Sequence, residues 1–473
     1  MTFNNFGLYS ESSEKKEKNL TTKNNSFQDQ SLFSITWPLF IEISLHMSMG
    51  IIATLVLSGY SDNAVAGVGV ANQIVNIFIL VFNVTAIGAT ILIGQNLGAN
   101  QMSKARRLAR SAFGVNFWVG IAMTIVVFAF GGMFLKFYGL SGEVYDFAYT
   151  FLTITGLSLF LESISLALSA VLRSYGYTKE TMIVTVIMNV ISITGYFIAI
   201  KGLFGFPITG VTGVSYSIIV ARVFIIVALF YFVYKRLALK FSVKDIFVID
   251  KADVKDLLSI GVPSAGENLS YQLSQVVITS FVALIGNEAL AARVYILNIS
   301  MICFLFTVAI AQGTQLLIAR YIGARQYDRA LKRGLKTLRI AMFVSAAMSL
   351  AFALIGEPIL AVFSNDPAII AIALPVLWAI VFIEPGRAMN IVLMGSLKSV
   401  GDVRFPVIIG IICMWGVAVL FSYVFGITLG LGLLGIWLAQ GLDEWVRGLF
   451  ALKRWNSQPW LRKKPTVVEQ ISV

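Results

Sequence analysis

Apolar runs separated by short polar, glycine-rich or proline-containing connections occupy nearly all of the chain between residues 33 and 450. A helix needs roughly 20 apolar residues to cross the hydrocarbon core of a bilayer. Runs of that kind fall near 33–58, 64–95, 111–138, 147–172, 181–203 and 210–234. Six more fall near 257–286, 290–318, 338–364, 368–396, 406–428 and 430–450. The pattern predicts an all-α integral membrane protein with twelve transmembrane helices. Spans are most easily merged at the glycine-rich connections GLFGFP (202–207) and GITLGLGLLG (426–435).

Basic residues give this pattern a direction. One alternating set of connections carries Lys104, Arg106, Arg107 and Arg110, then Arg173 and Lys179, and then the lysines and Arg236 between 235 and 255. The same set continues with the seven basic residues between Arg320 and Arg339, and ends with Lys398 and Arg404. The other set carries only Lys136, Lys201 and Arg293, together with acids such as Asp62, Glu143 and Glu357. Lys and Arg accumulate on the cytoplasmic side, so both termini are expected there, as an even number of spans requires. A multi-pass protein of the cell (inner or plasma) membrane is expected.

Residues 1–31 are polar and hold no apolar stretch suited to a cleavable signal peptide. They read as a disordered cytoplasmic tail. The expected organisation continues with a six-helix bundle over 32–240, a cytoplasmic linker over 241–256 and a second six-helix bundle over 257–452. A basic cytoplasmic tail over 453–473 completes it. The run KRWNSQPWLRKK (453–464) reads as an interfacial anchor beside anionic headgroups.

Composition narrows the function. Apolar residues make up 58% and charged residues 13%, against about 25% charged in soluble domains, so most of the surface must face lipid. The net charge of +12 therefore reports topology, and no nucleic-acid partner is expected. A single histidine, His46, and two cysteines inside apolar runs, Cys303 and Cys413, exclude His-based metal clusters, thiolate zinc sites and a disulfide framework. No catalytic residue, metal or cofactor is expected, and a membrane-embedded transferase is disfavoured on the same ground. The chain is expected to be a monomer whose partners are membrane lipid and a transported small molecule.

The chain also repeats itself. Residues 86–105 and 311–330 match at 8 of 20 positions without a gap, at an offset of 225. The same offset pairs Pro38 with Pro263, Glu42 with Glu267, Ser174 with Ser399 and Gly176 with Gly401. Both copies of the 86–105 pattern run into basic connections, so the copies are expected to be parallel, with six spans each. Two such bundles about an axis along the membrane normal form a transporter architecture with its site between the halves, and a channel is disfavoured.

These residues resemble the multidrug and toxic compound extrusion (MATE) family. The carriers are WPLFIE (37–42), LSGYSDNAVAGVGVANQI (57–74), GQNLGA (94–99) and LRSYGYTK (172–179). In the second half they are VPSAGENLSYQLSQ (262–275), IGA (322–324) and SLKSVGDVRFP (396–406). The resemblance implies a V-shaped pair of lobes and export of organic cations and related drugs by alternating access, driven by entry of H⁺ or Na⁺. The family's usual aspartate in the first span is replaced here by Ala53. Coupling would then rest on Glu42 or on the second half, where Glu267 and Glu384 stand in spans in which the family tends to place functional acids.

Ionisable groups inside a membrane are costly and mark pathways. Glu42 and Glu267 each follow a proline by four residues, and a proline frees a backbone carbonyl beside them. A carboxylate there suits a proton, Na⁺ or a cationic substrate. Glu384 and Arg387 share a helix face at i,i+3, as a self-neutralised pair or as a coupling acid with its partner. Glu162 reads equally as a paired or a functional acid, and Arg222 shows no obvious partner. His46, one turn past Glu42, would share a proton with it. Asn72, Gln73, Asn76 and Asn189 in the first half, and the stripe Asn268, Tyr271, Gln272 and Gln275 in the second, are candidate cavity-lining residues.

Together these features predict a cation-coupled antiporter for multidrug efflux and xenobiotic transport. The alternative is a flippase of lipid-linked oligosaccharide built on the same architecture, which would line its cavity with Arg or Lys for anionic phosphates.

Overall fold

The computed structural model describes residues 31–461, apart from 238, 240, 242, 243 and 248. Residues 1–30 of the expected N-terminal tail and 462–473 of the expected C-terminal tail lie outside the described residues. Among the described residues the chain is all-helical, with no strand.

Among the described residues ten helices are long and apolar enough to cross a membrane, or eleven if the pair Gly142–Gly156 and Leu159–Ser174, bent by 51° at its break, is one span. The apolar run expected near 430–450 lies in the 26-residue helix Gly432–Ser457. It falls outside that set because Asp443, Glu444 and Arg447 interrupt its apolar run. The expected span 338–364 is two helices, Tyr327–Leu354 and Gly356–Phe363.

Several helices begin earlier than their apolar runs, because Lys and Arg are good helix formers and the basic connections wind on as first turns. Met102–Phe137 contains Lys104 to Arg110, and Tyr327–Leu354 contains Arg329 to Arg339.

In the same way residues 251–256 of the expected linker 241–256 are the first turns of a helix. Lys251–Ile285 is one continuous helix, and Asp250 Oδ1 accepts from Ala252 N at 2.8 Å to start it. Its first turn is anchored by Arg107, whose Nε and Nη2 donate to Asp253 at 2.9 and 3.1 Å. Ser111 Oγ donates to the same carboxylate at 3.2 Å.

The first residues of the expected C-terminal tail, 453–457, are helical. They continue the helix Gly432–Ser457, with Trp455 fully buried and stacked on Trp460. Arg454 Nε pairs with Asp402 at 2.8 Å and its guanidinium lies over Phe405. The described part of this stretch packs on protein.

The chain divides into two compact units, Met1–Gly261 and Val262–Val473. In the first, Leu57, Phe82, Phe151, Leu159 and Val214 belong to a buried apolar core. In the second, Ile278, Ile296, Ile380, Ile383 and Ile436 do the same.

Within the second unit the helices Pro367–Ser399 and Gly432–Ser457 approach closely, and small residues permit it. A Cβ on Gly441 would come within 2.5 Å of Ile383, and one on Gly448 within 2.6 Å of Met389. Between Met414 and Val419, and again between Val424 and Thr428, the span Arg404–Thr428 winds as π-helix.

Candidate functional site

In the first unit Glu42 is 3% exposed and both of its oxygens are engaged. Arg173 Nη1 donates to Oε1 at 2.9 Å, and Thr181 Oγ1 donates to Oε2 at 2.8 Å. Arg173 ends the helix Leu159–Ser174 and Thr181 opens Thr178–Lys201, so two elements converge on one carboxylate. His46 is exposed. The Glu42 carboxylate is turned to Arg173 and Thr181.

Arg222 has a partner after all. Its Nε lies 3.1 Å from Glu162 Oε2, and its Nη1 donates to Thr155 O at 3.0 Å and Ser158 Oγ at 2.5 Å. Thr155 and Ser158 flank the 51° break, where Ser158 N and Oγ also donate to Thr155 O at 3.1 and 2.7 Å, so this guanidinium adds a further donor at the break. Asn189 is buried, and its Nδ2 donates to Thr185 O at 2.8 Å. Asn72 is half-buried, whereas Gln73 and Asn76 are exposed on the same helix, Asp62–Gly98.

In the second unit Lys398 Nζ donates to Glu267 Oε2 at 2.6 Å. Gly410 gives that carboxylate room, since a Cβ there would lie 3.2 Å from Glu267 Oε1. Asn268, Tyr271 and Gln272 are exposed and Gln275 is half-buried. Gln275 Oε1 accepts from Arg293 Nη2 at 3.0 Å, and the Arg293 guanidinium lies 5.2 Å over the Trp437 ring. Arg293, read from sequence as a connection residue, is thus 4% exposed inside the helix Asn287–Gly323.

The largest concentration of buried charge joins the helices Pro367–Ser399 and Gly432–Ser457. Arg387 Nη1 donates to Glu384 Oε1 at 2.5 Å, and Arg387 Nε lies 3.4 Å from Glu444 Oε1. Asn390 Nδ2 donates to Glu444 Oε2 at 2.7 Å, and Arg447 Nη2 lies 3.4 Å from the same oxygen. Arg447 Nη2 also donates to Asp443. The expected Glu384–Arg387 pair is therefore one end of a larger network. Asn390, Asp443, Glu444 and Arg447 were not predicted. For Asp443, Glu444 and Arg447 the signal was present as charges three and four residues apart within an expected span.

The MatE family model matches residues 38–198 and again residues 263–424. The chain belongs to the MATE family.

Other MATE-related sequences extend the match nearly end to end. The chain is 46% identical over 433 residues to "Uncharacterized transporter YisQ" of Bacillus subtilis (strain 168), covering 92% of this chain and 95% of that one. It is 26% identical over 443 residues to "Probable multidrug resistance protein NorM" of Thermotoga maritima, covering 93% and 95%. A solved outward-facing structure of a multidrug resistance MATE family transporter of the MOP superfamily superposes with a TM-score of 0.84 at 19% identity. It covers 92% of this chain and 97% of that one. A MOP superfamily transporter from Pyrococcus furiosus, described as having a binding pocket of reversed polarity, superposes at 0.82 with 20% identity, covering 92% and 96%. These likenesses establish the MATE transporter fold for a multi-pass membrane protein. MATE proteins are transporters rather than enzymes.

Proposed function

We propose that this MATE protein is a cation-coupled antiporter that exports organic cations across the cell membrane by alternating access. In this reading both termini are cytoplasmic, the helix Gly432–Ser457 is the twelfth span, and two parallel six-helix repeats form a V-shaped pair of lobes. H⁺ or Na⁺ is the coupling ion, no other cofactor takes part, and a monomer suffices.

The observation that carries the proposal is the buried charge joining Pro367–Ser399 and Gly432–Ser457, where, among the described residues, the three carboxylates of Glu384, Asp443 and Glu444 share the two guanidinium groups of Arg387 and Arg447. An excess carboxylate held out of water attracts a cation. The acids Glu42, Glu267 and Glu384 remain the proposed coupling and binding groups, with Arg173, Lys398 and Arg387 as counter-charges that a cation can displace. The names of NorM relatives as multidrug resistance proteins support an efflux substrate. The flippase reading gains less support, because Arg222 and Arg447 are each committed to a carboxylate.

Ethidium efflux from vesicles under imposed proton and sodium gradients tests the proposal. Gradient-driven efflux is expected, and its loss in Glu267→Gln. If neither gradient drives efflux of any cationic dye, the export reading fails. If Glu42→Gln, Glu267→Gln and Glu384→Gln all leave efflux intact, only the residue assignments fail.

A further inference from the structure

Four positions on the first-unit helix Met102–Phe137 are covered by residues 245–253. Arg107 pairs with Asp250 and Asp253 at 3.5 and 2.9 Å. Ser111 Oγ donates to Asp253 at 3.2 Å. A Cβ on Gly114 would come within 2.7 Å of Asp245 O, so no side chain fits beneath the cover. Trp118 Nε1 donates to Ile246 O at 2.7 Å, and its ring meets that of Phe247 at 5.7 Å.

The positions 225 further on are Lys332, Lys336, Arg339 and Phe343, all on Tyr327–Leu354. All four are exposed, Phe343 by 74%. Among the described residues none of the three cations has an ion pair. Their helix carries five basic residues against one acid, Asp328. Position by position, a surface that is covered by acids in the first unit is bare and cationic in the second. The serine and glycine that fit beneath the cover correspond here to Lys336 and Arg339.

At 100° per residue, Lys332, Lys336, Arg339 and Phe343 fall with Leu350 and Leu354 in one sector of about 60°. Leu350 and Leu354 are 42% and 67% exposed. One stripe therefore begins with three cations and continues as bare hydrocarbon, which runs for about 16 Å from Phe343 to Leu354.

We infer that this stripe binds an anionic phospholipid. Lys332, Lys336 and Arg339 hold its phosphate, and its acyl chains lie along Phe343, Leu350 and Leu354. Basic residues beside a span attract anionic headgroups, and their aliphatic stems cover apolar surface below. A soluble acidic partner would match the cations only, because the apolar part of the stripe lies in a helix able to cross a membrane. Neither terminal segment offers a surplus of acid. Glu11, Glu14, Glu17 and Asp29 are balanced by Lys15, Lys16, Lys18 and Lys23, and Glu469 is outnumbered by Arg462, Lys463 and Lys464. The site requires a membrane-spanning helix and stands whatever the protein exports.

Photolabelling of the purified full chain tests this. The probe is phosphatidylglycerol with a diazirine on its acyl chain, at low mole fraction in phosphatidylcholine vesicles. Labelled peptides are mapped by mass spectrometry. Enriched labelling of Tyr327–Leu354 is expected, competed by unlabelled phosphatidylglycerol but by neither phosphatidylcholine nor inorganic phosphate. Each basic residue near an anionic surface is worth roughly fivefold in affinity. Lys332→Gln/Lys336→Gln/Arg339→Gln should therefore lower this labelling at least about tenfold, and Lys332→Arg/Lys336→Arg/Arg339→Lys should keep it. Lys179→Gln/Arg404→Gln/Lys453→Gln removes the same charge from other exposed positions and should also keep it.

The inference is overturned if wild-type Tyr327–Leu354 is labelled no more than Met102–Phe137, or if phosphatidylcholine competes equally. It is equally overturned if both glutamine variants lose the same labelling, which would show a response to total charge. Competition by inorganic phosphate would make the cations a soluble-anion site and overturn the lipid assignment. The wild-type map decides the matter even if a variant does not fold, and dye efflux, measured separately, bears only on export.

Discussion

Arg173 closes on Glu42 at 2.9 Å, and the two residues 225 positions further on, Lys398 and Glu267, close on one another at 2.6 Å. An acid–base contact that recurs at one offset in both halves is what gene duplication of a folded unit would leave behind. The two start points of the family match, 38 and 263, stand at that same offset. The chemistry has diverged: a planar guanidinium in the first half, a point-charge ammonium in the second.

Breaking the first of these pairs should destabilise the protein. Loss of one partner from a fully buried ion pair costs about 3–5 kcal/mol. Arg173 keeps 20% of its side chain exposed, so Glu42→Gln is expected to cost about 2–3 kcal/mol. Thermal unfolding in detergent measures this, and the double variant Glu42→Gln/Arg173→Met should recover most of the loss. Equal midpoints for wild type and Glu42→Gln would show the pair contributes nothing.

Arg222 should resist replacement by lysine. Its guanidinium reaches Glu162, Thr155 O and Ser158 Oγ together, which needs a planar fork rather than a single ammonium. Both Arg222→Met and Arg222→Lys are expected to lose about 3 kcal/mol in the same unfolding assay. Full stability of Arg222→Lys would mean that only the charge matters.

Gly441 and Gly448 hold the Asp443 helix against the Glu384 helix. Gly441→Val must push on Ile383, at a cost of about 1–3 kcal/mol for overpacking. The unfolding midpoint in detergent measures this, and an unchanged midpoint would mean that the contact has room to spare.

Trp455 should matter more than the basic residues around it. Trp455→Ala empties a fully buried site beside Gly334 and is expected to cost about 3–5 kcal/mol. Lys453 is exposed, so Lys453→Ala should stay within about 0.5 kcal/mol of wild type. The reverse order would favour the interfacial-anchor role.

Much of the fold was legible because a membrane imposes a length on apolar runs. The helices around 33–58, 64–95 and 181–203 lie within a few residues of those runs. Helix starts were harder, since Lys104 to Arg110 and Arg329 to Arg339 end the apolar signal without ending the helix. Glu42, Glu267 and Glu384 stood out as isolated acids, yet their partners did not: Arg173 lies 131 residues from Glu42, and it had been counted with the connections. Asp443, Glu444 and Arg447 were overlooked for the opposite reason. They sit in a run apolar enough to be read as a span, where their mutual spacing, rather than their presence, carried the information.

The two π-wound stretches of Arg404–Thr428 have a mechanical consequence. Each closes hydrogen bonds over one more residue than an α-turn, as between Leu429 N and Val424 O at 2.8 Å. Passing that surplus residue along the helix would convert π to α behind it and rotate the intervening side chains by about 100°. The helix is thus a screw with two notches. Such a shift would present a different face to its neighbours while the backbone stays hydrogen-bonded to itself, as hydrocarbon requires.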